Sequence, residues 1–185
     1  MSLTAFRDFV EQEKTVAIRK KSIDWEQKKR TYLEQLEKLY KSVEKFLHEF
    51  IESESVQIEK DVVTIDEEYI GKYEAPCLLI HIYGRHANLM PVGANIIGTP
   101  GRVDLKGIMG TVRIILADKK AKIPEAFASI AWLPEDKKRA QEDAEEWMTR
   151  KRNYVWKIIT EPPNIRFVEL DQDSFFSSLM EVLNG

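Results

Sequence analysis

Between residues 23 and 51 the chain has neither glycine nor proline, and Leu33, Leu36, Tyr40, Val43, Leu47 and Phe50 recur at alternating spacings of three and four. This predicts one long N-terminal helix from Ile23 to Ile51. A second column, Trp25, Tyr32, Leu39 and Phe46, recurs every seventh residue beside the first. The stripe is therefore broader than a two-position coiled-coil seam and suits a globular core. On the opposite face Glu26 and Arg30, Glu34 and Lys38, and Glu37 and Lys41 stand four apart in the favourable order. Phe6, Phe9, Val10 and Val16 predict a weaker helix before it, with Ser22 or Asp24 as cap of the longer one.

From Val56 to Ala117 the pattern changes to short β-rich runs divided by Gly, Asp and Pro, which predicts an antiparallel meander. Tyr83-Gly84-Arg85-His86 fits a two-residue hairpin with Gly84 at the positive φ of a type II′ turn. In that register Tyr83 faces His86, His81 faces Asn88 and Leu79 faces Met90. Leu78, Ile80, Ile82, Ala87, Leu89 and Pro91 then form the core side. Pro91 predicts an edge or an end for its strand, because proline cannot donate to a ladder. A second hairpin through Gly107-Ile108-Met109-Gly110 sets Lys106 against Thr111, Asp104 against Arg113 and Arg102 against Ile115. Val103, Leu105, Val112, Ile114 and Leu116 lie on its reverse, so one sheet face is expected to be dry and the other wet.

Between Asp118 and Asn153, Pro124 and Pro134 can each open a helix, and Ala140, Ala144, Trp147 and Met148 form an apolar stripe. Strands follow over Tyr154–Thr160 and Ile165–Leu170. Asp173 can then cap a C-terminal helix bearing Phe176, Leu179, Met180 and Leu183. The expected fold class is α+β: a mainly antiparallel twisted sheet packed by a long N-terminal helix and a C-terminal helix, with a helical insertion before the last hairpin. The expected single domain divides into a helical segment 1–52, a meander 53–118, an excursion 119–152, a hairpin 153–170 and a helix 173–184.

Composition narrows the function classes. The 185 residues are 43% hydrophobic and carry 28 basic and 31 acidic side chains, a net charge of −3, so no global field favours nucleic acid or an anionic membrane. One cysteine, Cys77, forms no internal disulfide, the charged N-terminus lacks the apolar core of a signal peptide, and no apolar run spans a bilayer. A cytoplasmic protein with no membrane partner is expected.

The familiar chemical motifs fail at the residues that do the chemistry. Gly93-Ala94-Asn95-Ile96-Ile97-Gly98 has phosphate-loop spacing, but Thr99 stands where the lysine belongs and Pro100 where a magnesium ligand belongs. Cys77 and His81 are about 13 Å apart along a strand, too far for a thiol–imidazole dyad. The most site-like group is His81, Tyr83, His86 and Asn88 on the non-core side of the first hairpin. The two histidines, as diagonal neighbours, could reach one metal ion but lack a third ligand, so no metal and no cofactor is expected. Arg102, Asp104, Lys106 and Arg113 form a second group, read first as a solvated cross-strand Asp104–Arg113 ion pair.

If both hairpins share a face, Tyr83, Arg85, His86, Arg102 and Arg113 combine stacking surfaces with phosphate-binding charges. Against nucleic acid, residues 53–118 hold six basic and nine acidic side chains. The more basic stretch, Arg150-Lys151-Arg152 beside Trp147 and Trp156, is also explained by the helix dipole and core anchoring. The expectation is a non-enzymatic protein-interaction or regulatory module, with a protein partner or self-association through the N-terminal helix. The alternatives are a nucleic-acid-binding sheet face and an enzyme whose site lies near His81 and His86.

Overall fold

Asp24 stands just before the apolar stripe, and its carboxylate accepts a 2.8 Å hydrogen bond from the Gln27 N–H, which fixes the start of the main N-terminal helix. The computed structural model describes residues 5–12, 14, 24–94, 99–122 and 153–184. Residues 5–12 form an exposed helix, α1. The unbroken helix expected from Ile23 to Ile51 is instead two, α2 over Trp25–Phe46 and α3 over His48–Glu52. At the junction Leu47 leaves helical geometry, with φ −91° and ψ 1°, yet its side chain is buried. Hydrogen bonds from the Leu47 N–H to the Val43 carbonyl and from the Ile51 N–H to the Leu47 carbonyl, both 3.0 Å, still link the two helices across it.

The strands are β1 Gln57–Glu67, β2 Gly71–Ile82, β3 Arg85–Gly93, β4 Arg102–Lys106, β5 Thr111–Asp118, β6 Tyr154–Ile159 and β7 Phe167–Glu169. They form one seven-stranded antiparallel sheet in sequential order, and the C-terminal helix α4, Gln172–Asn184, follows. The protein is thus α+β. Beyond Lys122 the helical excursion expected before the last hairpin, with Trp147 and Arg150–Arg152, lies outside the described residues. No helix among the described residues is long and apolar enough to cross a membrane.

One face of the sheet holds the core. Leu78, Ile80, Leu89, Val103, Leu105, Ile114 and Leu116 are at most 2% exposed and share one cluster with Tyr32, Leu36, Leu39 and Val43 of α2 and Phe175, Leu179 and Val182 of α4. Each fully buried aliphatic side chain contributes about 1.5–3 kcal/mol. Trp156 belongs to this core, its indole N–H donating to the Gln35 carbonyl at 2.9 Å. The cap of α4 is Asp171 rather than Asp173. Asp171 Oδ1 accepts from the Ser174 N–H at 2.8 Å while Ser174 Oγ accepts from the Asp171 N–H at 2.9 Å, a reciprocal capping box.

Two prolines shape the middle of the sheet. Strands β2 and β3 pair from Leu78↔Leu89 to Ile82↔Arg85. Carried two positions further, that register would set Pro76 against Pro91, and neither has an N–H to give. The ladder stops there. The Tyr40 hydroxyl enters from α2 and donates to the Pro76 carbonyl at 2.8 Å, with the Leu89 carbonyl at 3.4 Å. Of the edge or strand end expected at Pro91, the edge is not found: Pro91 lies in central strand β3, where the β2 ladder has already ended and the pairing with β4 bulges between Pro91 and Gly93, the last residue of the strand.

Candidate functional site

The turn residues of the two hairpins lie at one end of the sheet. The β2–β3 register differs from the sequence expectation: His81 pairs with His86 and Ile82 with Arg85, which makes Tyr83 and Gly84 the turn. Tyr83, not Gly84, takes the positive φ, at +50°. The faces survive this shift, because the register slips without changing its parity. The second hairpin has the predicted register throughout, from Lys106↔Thr111 to Arg102↔Ile115.

Both turns are tied to the C-terminus of α4, whose last carbonyls have no partner within the helix. The Met109 N–H donates to the Val182 carbonyl at 3.0 Å, and Arg85 Nη1 donates to the Leu183 carbonyl at 2.6 Å. Gly107 makes this approach possible, since a Cβ there would stand 2.2 Å from the Val182 oxygen. Arg85 also brings positive charge to the negative end of the helix dipole. Between the anchored turns is a groove of about 740 Å³ lined by Ile82, Tyr83, Gly84, Arg85, His86 and Ile108. Tyr83 and Ile108 are each 84% exposed and Met109 58%.

His81 and His86 face each other directly rather than diagonally, with their Nδ1 atoms 2.8 Å apart. A bond of this length requires one Nδ1 to carry a proton and the other to lack it. Glu59 decides which: its Oε2 stands 3.7 Å from His81 Nε2, an atom shielded from solvent with no hydrogen bond. A carboxylate there favours N–H at His81 Nε2, so His81 Nδ1 accepts and His86 Nδ1 donates. Among the described residues no group of three or more His, Cys, Asp or Glu side chains is placed to hold a metal ion.

The same outer face continues across the sheet, where Asn88 pairs with Leu79 and with Lys106, and Arg113 stands opposite Asp104 and Ile159. The Asp104 carboxylate does not serve Arg113. It receives Arg102 Nε at 2.7 Å and Nη2 at 2.9 Å, a two-pronged bond along one strand. Nor is this face uniformly wet. Asp104 is 5% exposed, Ile115 6% and Lys157 3%, with the Lys157 ammonium donating to the Lys119 and Ala121 carbonyls at 2.8 and 2.7 Å. Of the seven residues singled out from the sequence, His81, Tyr83, Arg85 and His86 gather at the hairpin end. Asn88, Arg113 and Arg102 lie progressively farther along the outer face.

Of the glycine-rich stretch only Gly93 and Ala94 are among the described residues, residues 95–98 lying outside them, and these two meet a carboxylate. Glu67 Oε1 accepts from the Ala94 N–H at 2.9 Å and from the Tyr73 hydroxyl at 2.5 Å, and the Glu67 side chain fills the space beside Gly93. An acid in that position opposes a phosphate. Burial pushes the Tyr73 and Tyr32 phenols up, keeping both as hydrogen-bond donors. Cys77 is buried against Asp61, its register partner, and burial, then the Asp61 charge, push its thiol up, away from nucleophilic character. Sequence reasoning assigned Ile108 and Met109 only to a turn; their signal was two large apolar residues between glycines, where a hairpin needs neither.

No protein-family model matches this sequence, no curated protein is detectably similar to it, and no solved structure matches the fold. Function has to be read from the geometry.

Proposed function

We propose that this protein is a non-enzymatic protein-interaction module that presents the hairpin end of its sheet to a partner. One observation carries the reading: Tyr83, Ile108 and Met109 stand exposed around an anchored groove, with Tyr83 held at φ +50°. An aromatic residue in left-handed backbone costs about 1 kcal/mol or more that glycine would not. Aromatic and methionine side chains are also enriched in protein interfaces. The two turns are fastened to α4 through Met109 and Arg85, so the surface is ordered before any partner arrives, which lowers the entropic cost of association. In α2, by contrast, Tyr32, Leu36, Leu39, Tyr40 and Val43 are at most 3% exposed, so its apolar face is already covered inside the domain.

The test is site-specific photo-cross-linking in the cells that make the protein, with the photoreactive residue at position 83 or 108 and a control at exposed Val62. The expected result is a discrete cross-linked species from 83 and 108 that excess unlabelled wild type suppresses and a Tyr83→Gly/Ile108→Ser competitor does not. Equal cross-linking from position 62, or equal suppression by both competitors, defeats the reading.

The nucleic-acid alternative keeps His86, Lys106 and Arg113 on one face, but Arg102 is engaged by Asp104 and Arg85 by Leu183. It predicts binding that falls steeply with salt and weakens in Arg113→Ala. Absence of salt-dependent binding to single-stranded oligonucleotides removes it.

A further inference from the structure

We infer that the His81–His86 pair is a proton-operated clasp on the β2–β3 turn, which holds while the two rings share at most one positive charge and opens when both are cationic. Its consequence rests on the reading of the hairpin end as a binding surface: acid loosens the part of that surface that Tyr83 and His86 carry.

The bond counts protons. In the neutral pair the four ring nitrogens carry two, one at His81 Nε2 beside Glu59 and one at His86 Nδ1, which donates to His81 Nδ1 at 2.8 Å. A third proton can settle on His86 Nε2 and leave the bond intact, and a charged donor ring strengthens it. A fourth has only His81 Nδ1, the accepting atom. Two N–H groups and two positive charges would then meet with no acceptor between them, so the rings must part. The closed pair is also poised to open, because His81 Nε2 is shielded from solvent without a hydrogen bond, a cost that parting of the rings relieves.

The surroundings do little to offset the second charge. Among the described residues, the charged groups facing the pair are Glu59 from β1 and Lys106 from β4, which pairs with Asn88 next along the face, with Arg113 beyond on β5. The Glu59 side chain is 69% exposed, so water screens it, and Lys106 adds to the repulsion. Gln57, the β1 partner of His81, is neutral, Tyr83 adds a phenol at the turn, and Arg85 is engaged by the Leu183 carbonyl.

The ladder that the clasp closes is short. Strands β2 and β3 share five register pairs, and His81↔His86 is the one next to the pair that closes the turn. Within that turn Tyr83 is held at φ +50°, and strained backbone of this kind persists only where its surroundings hold it. Arg85 still ties the hairpin to Leu183 when the rings part. Opening therefore loosens Tyr83 and the groove lining that His86 provides without detaching the hairpin from α4.

The experiment follows the full chain, labelled with ¹⁵N-histidine, by NMR from about pH 7.5 to 4.5, spanning the range in which histidine takes up its charge. The third histidine, His48 on α3, serves as a reference ring. Two quantities are read together: the ¹⁵N–¹⁵N coupling across the Nδ1 pair, and the exchange protection of the amides of residues 82–86 relative to the Met109 N–H, which the other turn donates to α4. Wild type is expected to keep the coupling through the first protonation and to lose it at the second, with relative protection of the turn falling at least about tenfold. His86→Gln leaves a polar partner that takes no charge, and its turn protection should not change with pH. The inference is overturned by two fully protonated rings with coupling or protection unchanged, by a coupling that vanishes with the first proton, or by rings that never both charge above pH 4.5. Equal loss of protection in His86→Gln overturns it as well. Cross-linking from positions 83 and 108 at neutral pH is a separate result. Its absence beside a clasp that opens as expected removes the binding surface and supports the clasp, whereas a discrete cross-linked species beside an unmoved clasp overturns this inference alone.

Discussion

His81 and His86 meet head-on across β2 and β3, Nδ1 to Nδ1 at 2.8 Å, with the Glu59 carboxylate 3.7 Å from the far nitrogen of His81. At neutral pH, ¹⁵N spectra of the imidazoles should therefore find the proton on Nδ1 in His86 and on Nε2 in His81. Bare Nδ1 atoms on both rings would contradict the bond. Glu59→Ala should weaken the preference for the Nε2 proton at His81.

Asp104 and Arg113 provide a second contrast. Asp104→Ala leaves a largely shielded Arg102 guanidinium without its carboxylate and should cost about 2–4 kcal/mol, whereas Arg113→Ala should stay within about 0.5 kcal/mol. Urea unfolding midpoints of the two variants decide it. Equal losses would restore the cross-strand Asp104–Arg113 pair.

The two glycines of the second turn should behave oppositely. Gly107→Ala drives a methyl into the Val182 carbonyl and should cost about 1–3 kcal/mol, loosening the turn from α4. Gly110→Ala meets open space and should be neutral or stabilising by up to about 1 kcal/mol through the unfolded chain. Thermal denaturation of the pair checks this, and a Gly107→Ala protein as stable as wild type would mean that α4 is not held there.

Asp171 sets a pH dependence. The Ser174 N–H hydrogen bond holds its carboxyl below the ordinary value of 3.8, so the folded state binds this proton more weakly than the unfolded one. Its contribution is fully present above the ordinary carboxylate range and is lost as pH falls through the lower, folded-state value. Asp171→Ala should lower the unfolding midpoint at pH 7 and narrow its difference from wild type near pH 2. A constant difference across that range would mean that the cap does not act through its charge.

Alternation carried much of the fold because its cause is local. In a strand, side chains change sides at every residue, so Leu78, Ile80, Leu89, Val103, Leu105, Ile114 and Leu116 could be assigned to the core before any contact was known. The hairpin at Gly107–Gly110 was equally legible. The candidate site was legible as a set of residues but not as a geometry. Its first hairpin slipped because Arg85 reaches Leu183, 98 positions away, and pairing Ile82 with Arg85 directs that side chain toward the core side, where α4 ends.

What the sequence by itself determined, then, was the α+β class with an antiparallel sheet, the faces of the strands in the two hairpins and the register of the second, all consequences of backbone periodicity and short-range turn chemistry. Tertiary structure decided where α2 breaks at Leu47, that Pro76 and Pro91 end one ladder beneath Tyr40, that Asp104 serves Arg102, and that both hairpin turns close on α4. Each of these is settled by which backbone groups and charges must find partners once the chain is packed. Those partners lie on elements whose approach no local pattern encodes.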